Sequence, residues 1–384
     1  MRKLSVFIFS LCILLVAIFP LYAQDGGGTN KIVGVDIYQR ALAAVDAKKY
    51  EQAVSDFSLV ILLNPTFTDP YLQRAQSYVQ LKNYEAALVD LDHLIKMPML
   101  DPKVKGSAYT TRGDLYRVQE NYTSAIADYS AAIRLIPDEP LAYYGRGVIY
   151  FVQNEYEKSF KDMTQLASIA PDVPNTYYFL GQLNNSLKHY EDAVKQFTTY
   201  IKAVPDDYTA FAGRASSYVD LKQYKQALAD LNQAIKIEPR DASLYLQRGL
   251  VQQKLGDEEA SANDYLQWIK ANLVDQKTNL ELRPGESQVV PMSKGEVYIF
   301  AFDGRAGQQV TINTSTQKDQ QIDSLLILAD NQLNPLTADD DSGGNMNAAI
   351  MAYSLPTDGT YTVILSHAGG NADGNVRVLM TVGD

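Results

Sequence analysis

An all-α array of seven helix-turn-helix repeats followed by an all-β antiparallel sandwich is the fold class that this 384-residue sequence predicts. Three observations carry that reading. Self-similarity recurs every 34 residues between Gly34 and about Leu273, small residues stand at two fixed positions in every unit, and beyond Leu273 short alternating apolar runs replace helical spacing. The length exceeds what a single hydrophobic core usually serves. With 46% apolar and 21% charged residues the chain is able to bury its cores. The net charge of -11 and the lack of any basic stripe argue against nucleic acid and anionic lipid as partners.

The elements follow in chain order. Met1-Arg2-Lys3, an apolar run from Leu4 to Phe19 and a small-residue end at Ala23 have the layout of a secretory signal over residues 1–23, followed by a polar linker over 24–33. An uncleaved N-terminal anchor is the alternative, because the run is only slightly shorter than a membrane span. Either way the remainder is expected to be secreted or extracytoplasmic, in the periplasm or at the cell surface. The one cysteine, Cys12, falls inside this apolar run, so the mature chain is expected to have neither disulfide nor thiolate chemistry.

Seven units follow, over residues 34–67, 68–105, 106–139, 140–173, 174–207, 208–241 and 242–273, with four extra residues at the end of the second, around Pro98 to Lys105. The eighth residue is Ala41, Ala75, Gly113, Gly147, Gly181, Ala215 or Gly249; the twentieth is Ala53, Ala87, Ala125, Ser159, Ala193, Ala227 or Ser261. Small side chains at one point on each of two helices let their backbones cross closely. Tyr50, Tyr84, Tyr122, Tyr156, Tyr190 and Tyr224 hold the seventeenth position, and a proline closes each of the first six units.

On these residues the chain resembles the tetratricopeptide repeat. That resemblance implies stacked antiparallel helix pairs forming a right-handed superhelix with a concave groove, each pair burying its apolar face against its neighbours. It further implies a groove lined by the second, fifth, ninth and twelfth residues of each unit. These are Leu141, Tyr144, Val148 and Phe151 in the fourth unit and Asn175, Tyr178, Gln182 and Asn185 in the fifth. An aromatic and amide lining suits an extended peptide with apolar side chains. No lysine of a carboxylate clamp stands among these positions.

A second regularity concerns charge. Arg40, Arg74, Arg112, Arg146, Arg214 and Arg248 occupy the seventh position, and Asp56, Asp90, Asp128, Asp162, Asp230 and Asp264 the twenty-third. The fifth unit loses both together, carrying Leu180 and Gln196. Joint loss within one unit predicts pairing inside each hairpin, with bidentate geometry that pins helix register.

After a linker at 274–278, residues 279–384 are expected to form the sandwich, with strands at Glu296–Phe302, Gln309–Ile312, Leu325–Leu328 and Tyr361–Leu365. The order of Arg305-Ala306-Gly307, Asp323-Ser324-Leu325, Asp339-Asp340-Asp341 and Leu355-Pro356-Thr357-Asp358-Gly359-Thr360-Tyr361 resembles the bacterial pre-peptidase C-terminal domain. That resemblance implies a secreted, non-catalytic β-sandwich with adhesive or targeting roles. Asp323, Asp339, Asp340 and Asp341 are candidate calcium ligands, against the simpler reading of a solvated acidic loop. The sole tryptophan, Trp268, lies on the last helix, where an uncovered end would expose it. The sandwich is therefore expected to dock there as a cap.

Catalytic constellations are absent from this reading. Asp341-Ser342-Gly343-Gly344 is similar to a serine-protease loop but lacks the scaffold of a triad, and His93 and His189 fall on separate repeats without neighbouring ligands. The expected function is a non-enzymatic, exported scaffold that binds a protein or peptide partner in the groove. The alternative is attachment to an envelope polymer or polysaccharide through the β domain, with the helices as a spacer. No cofactor is expected, calcium aside.

Overall fold

The computed structural model describes residues 30–316, 322–340, 347–367 and 373–383. The expected signal segment and Asp341 lie outside them. The chain divides into two compact units, Met1–Pro137 and Asp138–Asp384. Among the described residues no helix is long and apolar enough to cross a membrane.

The first unit holds three helix pairs: α1 (Asn30–Asp46) with α2 (Tyr50–Leu63), α3 (Asp69–Gln80) with α4 (Tyr84–Lys96), and α5 (Pro102–Val118) with α6 (Tyr122–Leu135). The four extra residues of the second repeat add one turn to the start of α5, which begins at Pro102 behind Asp101, whose carboxylate accepts from the Lys103 N–H at 2.7 Å.

The second unit holds four more pairs: α7 (Pro140–Val152) with α8 (Tyr156–Ile169), α9 (Pro174–Ser186) with α10 (Tyr190–Ala203), α11 (Tyr208–Asp220) with α12 (Tyr224–Ile237), and α13 (Ala242–Leu255) with α14 (Glu258–Asn272). Glycine at the eighth position answers bulk at the twenty-fourth. A Cβ at Gly113, Gly147, Gly181 or Gly249 would come within 2.8–2.9 Å of Tyr129, Met163, Phe197 or Tyr265 respectively. At Ala75 and Ala215 the facing side chain is the smaller Leu91 or Leu231, while Ala41 shares its cluster with Phe57.

Every hairpin turns through one left-handed residue: Lys48, Lys82, Glu120, Asn154, Lys188, Lys222 and Gly256, all with φ between 56° and 80°. The next N–H then reaches back to the carbonyl five residues earlier, as from Gln223 to Tyr218 at 2.7 Å and from Asp257 to Gln252 at 3.0 Å. This closes the orphan carbonyls of the first helix and sends the chain antiparallel.

The same unit continues into nine strands. These are β1 (Asp275–Glu281), β2 (Ser287–Met292), β3 (Glu296–Gly304), β4 (Gln309–Thr316), β5 (Ser324–Ala329), β6 (Pro335–Asp339), β7 (Ala349–Ser354), β8 (Gly359–His367) and β9 (Gly374–Gly383). They form one sheet in the order β1-β3-β8-β5-β6 and another in the order β2-β9-β4-β7. One pairing departs from the antiparallel expectation: β1 and β3 run parallel. The chain leaves β1, crosses to the other sheet as β2 and returns as β3, and such a crossover puts neighbours in the same direction. β1 also begins at Asp275, inside the stretch expected as linker.

The sandwich core gathers Tyr298, Phe300, Phe302, Val310, Ile312, Leu326, Leu328, Val363 and Leu365 with residues of the opposite sheet. All six residues of β5 are buried. Leu326 and Leu328 face that core, while Leu325 and Ile327 join Val297, Ile364 and Ala338 against Ala262, Tyr265 and Ile269 of α14. Trp268 packs half-buried at the edge of this second cluster. The β domain thus covers the last helix, and the helical and β parts of this unit share a core.

Candidate partner-binding surface

Six arginines reach the aspartate sixteen residues on, from Arg40–Asp56 to Arg248–Asp264. Nε donates to Oδ2 at 2.7–2.8 Å and Nη2 to Oδ1 at 2.6–2.7 Å. These aspartates are buried. Two parallel N–H···O bonds to one carboxylate fix both distance and angle between the helices. The guanidinium fork beside Asp56 holds its carboxyl below the usual carboxylate range, burial opposing only in part.

In four of the six the remaining Nη1 reaches the preceding repeat. It donates to Ser58 from Arg74 at 2.9 Å, to Asp92 from Arg112 at 2.6 Å, to Thr198 from Arg214 at 2.9 Å and to Asn232 from Arg248 at 2.7 Å. The guanidinium also sits 5.6–5.9 Å from an aromatic ring three residues before it, as over Tyr71, Tyr109, Tyr143, Phe211 and Tyr245. One side chain therefore joins three helices and stacks on a fourth group. The sixteen-residue interval is visible in the sequence. The third bond is not, because its acceptor varies in type between Ser, Asp, Thr and Asn.

The candidate groove residues lie on α7 and α9. Leu141 is exposed, and Tyr144, Val148, Phe151, Asn175, Tyr178, Gln182 and Asn185 are half-buried. Phe179, absent from the expected set, organises the aromatic ones. It meets Tyr144 at 5.9 Å, Phe151 at 5.6 Å and Tyr178 at 6.1 Å, each edge to face. Tyr178 continues the row to Phe197 at 5.9 Å and Tyr200 at 5.3 Å. Edge-to-face contacts of this kind add to the burial of each ring and fix its tilt. Burial and the bond to Asp207 at 2.7 Å push the Tyr200 hydroxyl up, so it remains a donor at any physiological pH.

The amides divide differently. Gln182 donates to the Tyr178 hydroxyl at 3.2 Å and so braces that ring. Asn185 donates to the Gly213 carbonyl at 3.1 Å and accepts from the Ser217 hydroxyl at 2.7 Å, joining α9 to α11. Both ends of this side chain serve the joint between repeats.

In the β domain, Asp339 is buried and accepts on both oxygens, from Gln253 at 2.7 Å and from the Ala349 N–H at 2.7 Å. It ties α13, β6 and β7 together. Asp340 is buried and Asp323 half-buried, and among the described residues no three acidic or histidine side chains converge as a metal site would require.

Comparison with known proteins agrees with the helical architecture. Family models described as TPR repeat and tetratricopeptide repeat match residues 113–161 and 215–256, and residues 68–98. Dynein axonemal assembly factor 4 of Rattus norvegicus is 30% identical over 122 residues, 31% of this chain and 26% of the relative. Tetratricopeptide repeat protein 13 of Homo sapiens is 32% identical over 97 residues, 25% of this chain and 11% of the relative. The chain thus spans about a quarter or less of these relatives. Among solved structures, the C-terminal part of a TPR repeat-containing protein from Cytophaga hutchinsonii superposes with a TM-score of 0.48 at 17% identity, covering 60% of this chain and 94% of that one. A tetratricopeptide repeat protein from Parabacteroides merdae gives 0.43 at 17% identity, covering 62% and 93%. YrrB, described as a TPR protein with an unusual peptide-binding site, gives 0.41 at 18% identity, covering 43% and 84%. The helical part is an array of tetratricopeptide repeats, a type that generally serves as a non-enzymatic scaffold suited to protein binding.

Proposed function

We propose that this tetratricopeptide-repeat protein is an exported, non-enzymatic scaffold that holds an extended, apolar segment of a protein partner against α7 and α9. The observation that carries the reading is the aromatic row Tyr144–Phe179–Tyr178, flanked by Phe151 and the exposed Leu141. Rings locked edge to face by their neighbours lose little further freedom when a partner docks, so their apolar area converts efficiently into affinity. Gln182 keeps the Tyr178 ring in place and Asn185 keeps α9 on α11, which makes these amides supports of the surface. Asn175 and Val148 complete its edge. Export rests on the charged, apolar and small-residue order of residues 1–23.

The test is a pull-down from the extracytoplasmic fraction of the source cells, using residues 24–384 and the same bait with Tyr144→Ala and Tyr178→Ala. Loss of two aromatic anchors is expected to weaken capture of a specific protein about 10- to 1,000-fold. Both baits are first compared by thermal melting, because Tyr178 also packs on Phe197. Equal capture by two folded baits places the partner elsewhere. Retention of the bait itself on an envelope polymer, with no protein partner captured, would favour the β domain as the attachment point.

A further inference from the structure

The fifth repeat is built differently from the other six, and a cleft lies beside the positions that differ. Phe160, Thr164, Ala167, Tyr177, Leu180, Asn184, Asp192 and Gln196 line about 270 Å³ between α8, α9 and α10. Three of them occupy the positions that clamp the arginine elsewhere. Leu180 stands where the arginine stands, Gln196 where its aspartate stands, and Thr164 where the preceding repeat supplies Ser58, Thr198 or Asn232. Tyr177 is the aromatic three residues before, and its hydroxyl donates to the Pro171 carbonyl at 2.9 Å, as Tyr71 does to Pro65 at 3.2 Å and Tyr245 to Pro239 at 3.1 Å. The ring platform, the hydroxyl and an amide oxygen in place of the carboxylate are all retained. What the sequence has removed is the guanidinium.

We infer that this cleft binds a guanidinium group supplied from outside the chain, by an arginine side chain of a peptide or by a free guanidinium compound. The chemistry is the one the protein applies to its own arginines: a planar cation laid on an aromatic face and bonded along its edge by oxygen acceptors. Thr164 and Gln196 supply those acceptors, and Asp192, one turn before Gln196 on α10, supplies the negative charge. Lys195, which bonds Asp192 at 2.9 Å on the exposed rim, is close enough to be exchanged for the incoming cation. The buried Asn184 donates to the Leu180 carbonyl at 2.7 Å and holds the apolar floor in place. A space of about 270 Å³ falls below the range of about 300–1,000 Å³ that takes drug-sized ligands, and it suits one side chain. A lysine ammonium fits less well, because it presents neither a flat face to Tyr177 nor a fork to two oxygens. The site adjoins the aromatic row on a different face of α9, since Tyr177, Leu180 and Asn184 are rotated by about 120° from Tyr178 and Asn185.

The experiment titrates the full chain by two-dimensional amide NMR with three probes: free L-arginine, an acetylated Gly-Arg-Gly amide and its Gly-Lys-Gly counterpart. The arginine probes are expected to shift amides of α9 and α10 and to bind about tenfold more tightly than the lysine peptide. The ratio of the two arginine probes separates a peptide source from a small-molecule one. The double variant Leu180→Arg with Gln196→Asp rebuilds the chain's own clamp, and it is expected to abolish those shifts while its melting temperature holds or rises. No shift by either arginine probe overturns the inference. So does equal binding by the double variant, or by the lysine peptide.

Discussion

At the scale of single residues, the arginine clamp decides which substitutions the helices tolerate. Arg214 makes two bonds to Asp230 and one to Thr198, and Asp230 is buried. Asp230→Ala removes one partner and leaves a largely enclosed guanidinium, so a loss of about 2–4 kcal/mol is expected in chemical denaturation. Arg214→Lys keeps the charge but loses the fork and the stack on Phe211, and it is expected to retain less than half of the pair's contribution. The pH dependence follows the direction of one shift. Because Arg40 holds the Asp56 carboxyl below its ordinary value of about 4, that pair's contribution is complete above pH 4–5 and disappears as pH falls through the depressed value. Asp56→Asn is expected to flatten the acid limb of the stability curve; an unchanged limb would show that the pair contributes nothing. The repeated Arg and Asp positions were legible because identity recurs at a fixed interval. Phe179 was not, because its role comes from rings on two helices that no periodicity links, and Asn185 lies at a groove position while bonding the next repeat.

At the scale of the element, each hairpin rests on one left-handed residue and one close crossing. Gly256 is the one glycine among the seven turn residues, at φ 80°, and Gly256→Ala is expected to cost about 1 kcal/mol for forcing a Cβ into that region. Lys222→Gly at φ 58° is expected to be neutral or slightly stabilising, since it relieves strain while loosening the unfolded chain. At the crossing, Gly249→Ala brings a methyl within 2.8 Å of the buried Tyr265 ring and is expected to cost about 1–3 kcal/mol in thermal melting. Helix number and order could be read from the sequence because the repeat is long and regular. The strands were harder. β5 is a continuous apolar run rather than an alternating one, and such a run signals a strand covered on both faces. The parallel β1–β3 pair depends on which sheet receives β2, and nothing local to β1 specifies that.

At the scale of the whole molecule, the helical array and the sandwich are joined by a shared apolar cluster, Tyr265 and Ile269 of α14 against Leu325 and Ile327 of β5. Ile327→Ala is expected to lower stability by about 2–4 kcal/mol and to shift the emission of Trp268 to the red, and this sole tryptophan makes fluorescence a local reporter. Deleting residues 275–384 exposes the same helix face, and melting that leaves the seventh repeat intact would show that it needs no cover. The arginine clamp has a consequence of a different kind for the array. The guanidinium groups of Arg74, Arg112, Arg214 and Arg248 each couple a hairpin to the one before it, so the repeats they join are expected to open together, as coupled sites in a one-dimensional chain do. Leu180 removes that coupling between the fourth and fifth repeats, while Arg214 keeps it between the fifth and sixth through Thr198 and Asn185 adds to it. Cooperativity is therefore expected to break at this junction. Native-state hydrogen exchange should find α9 and α10 protected as one block with α11 and α12, and a separate opening free energy for α7 and α8.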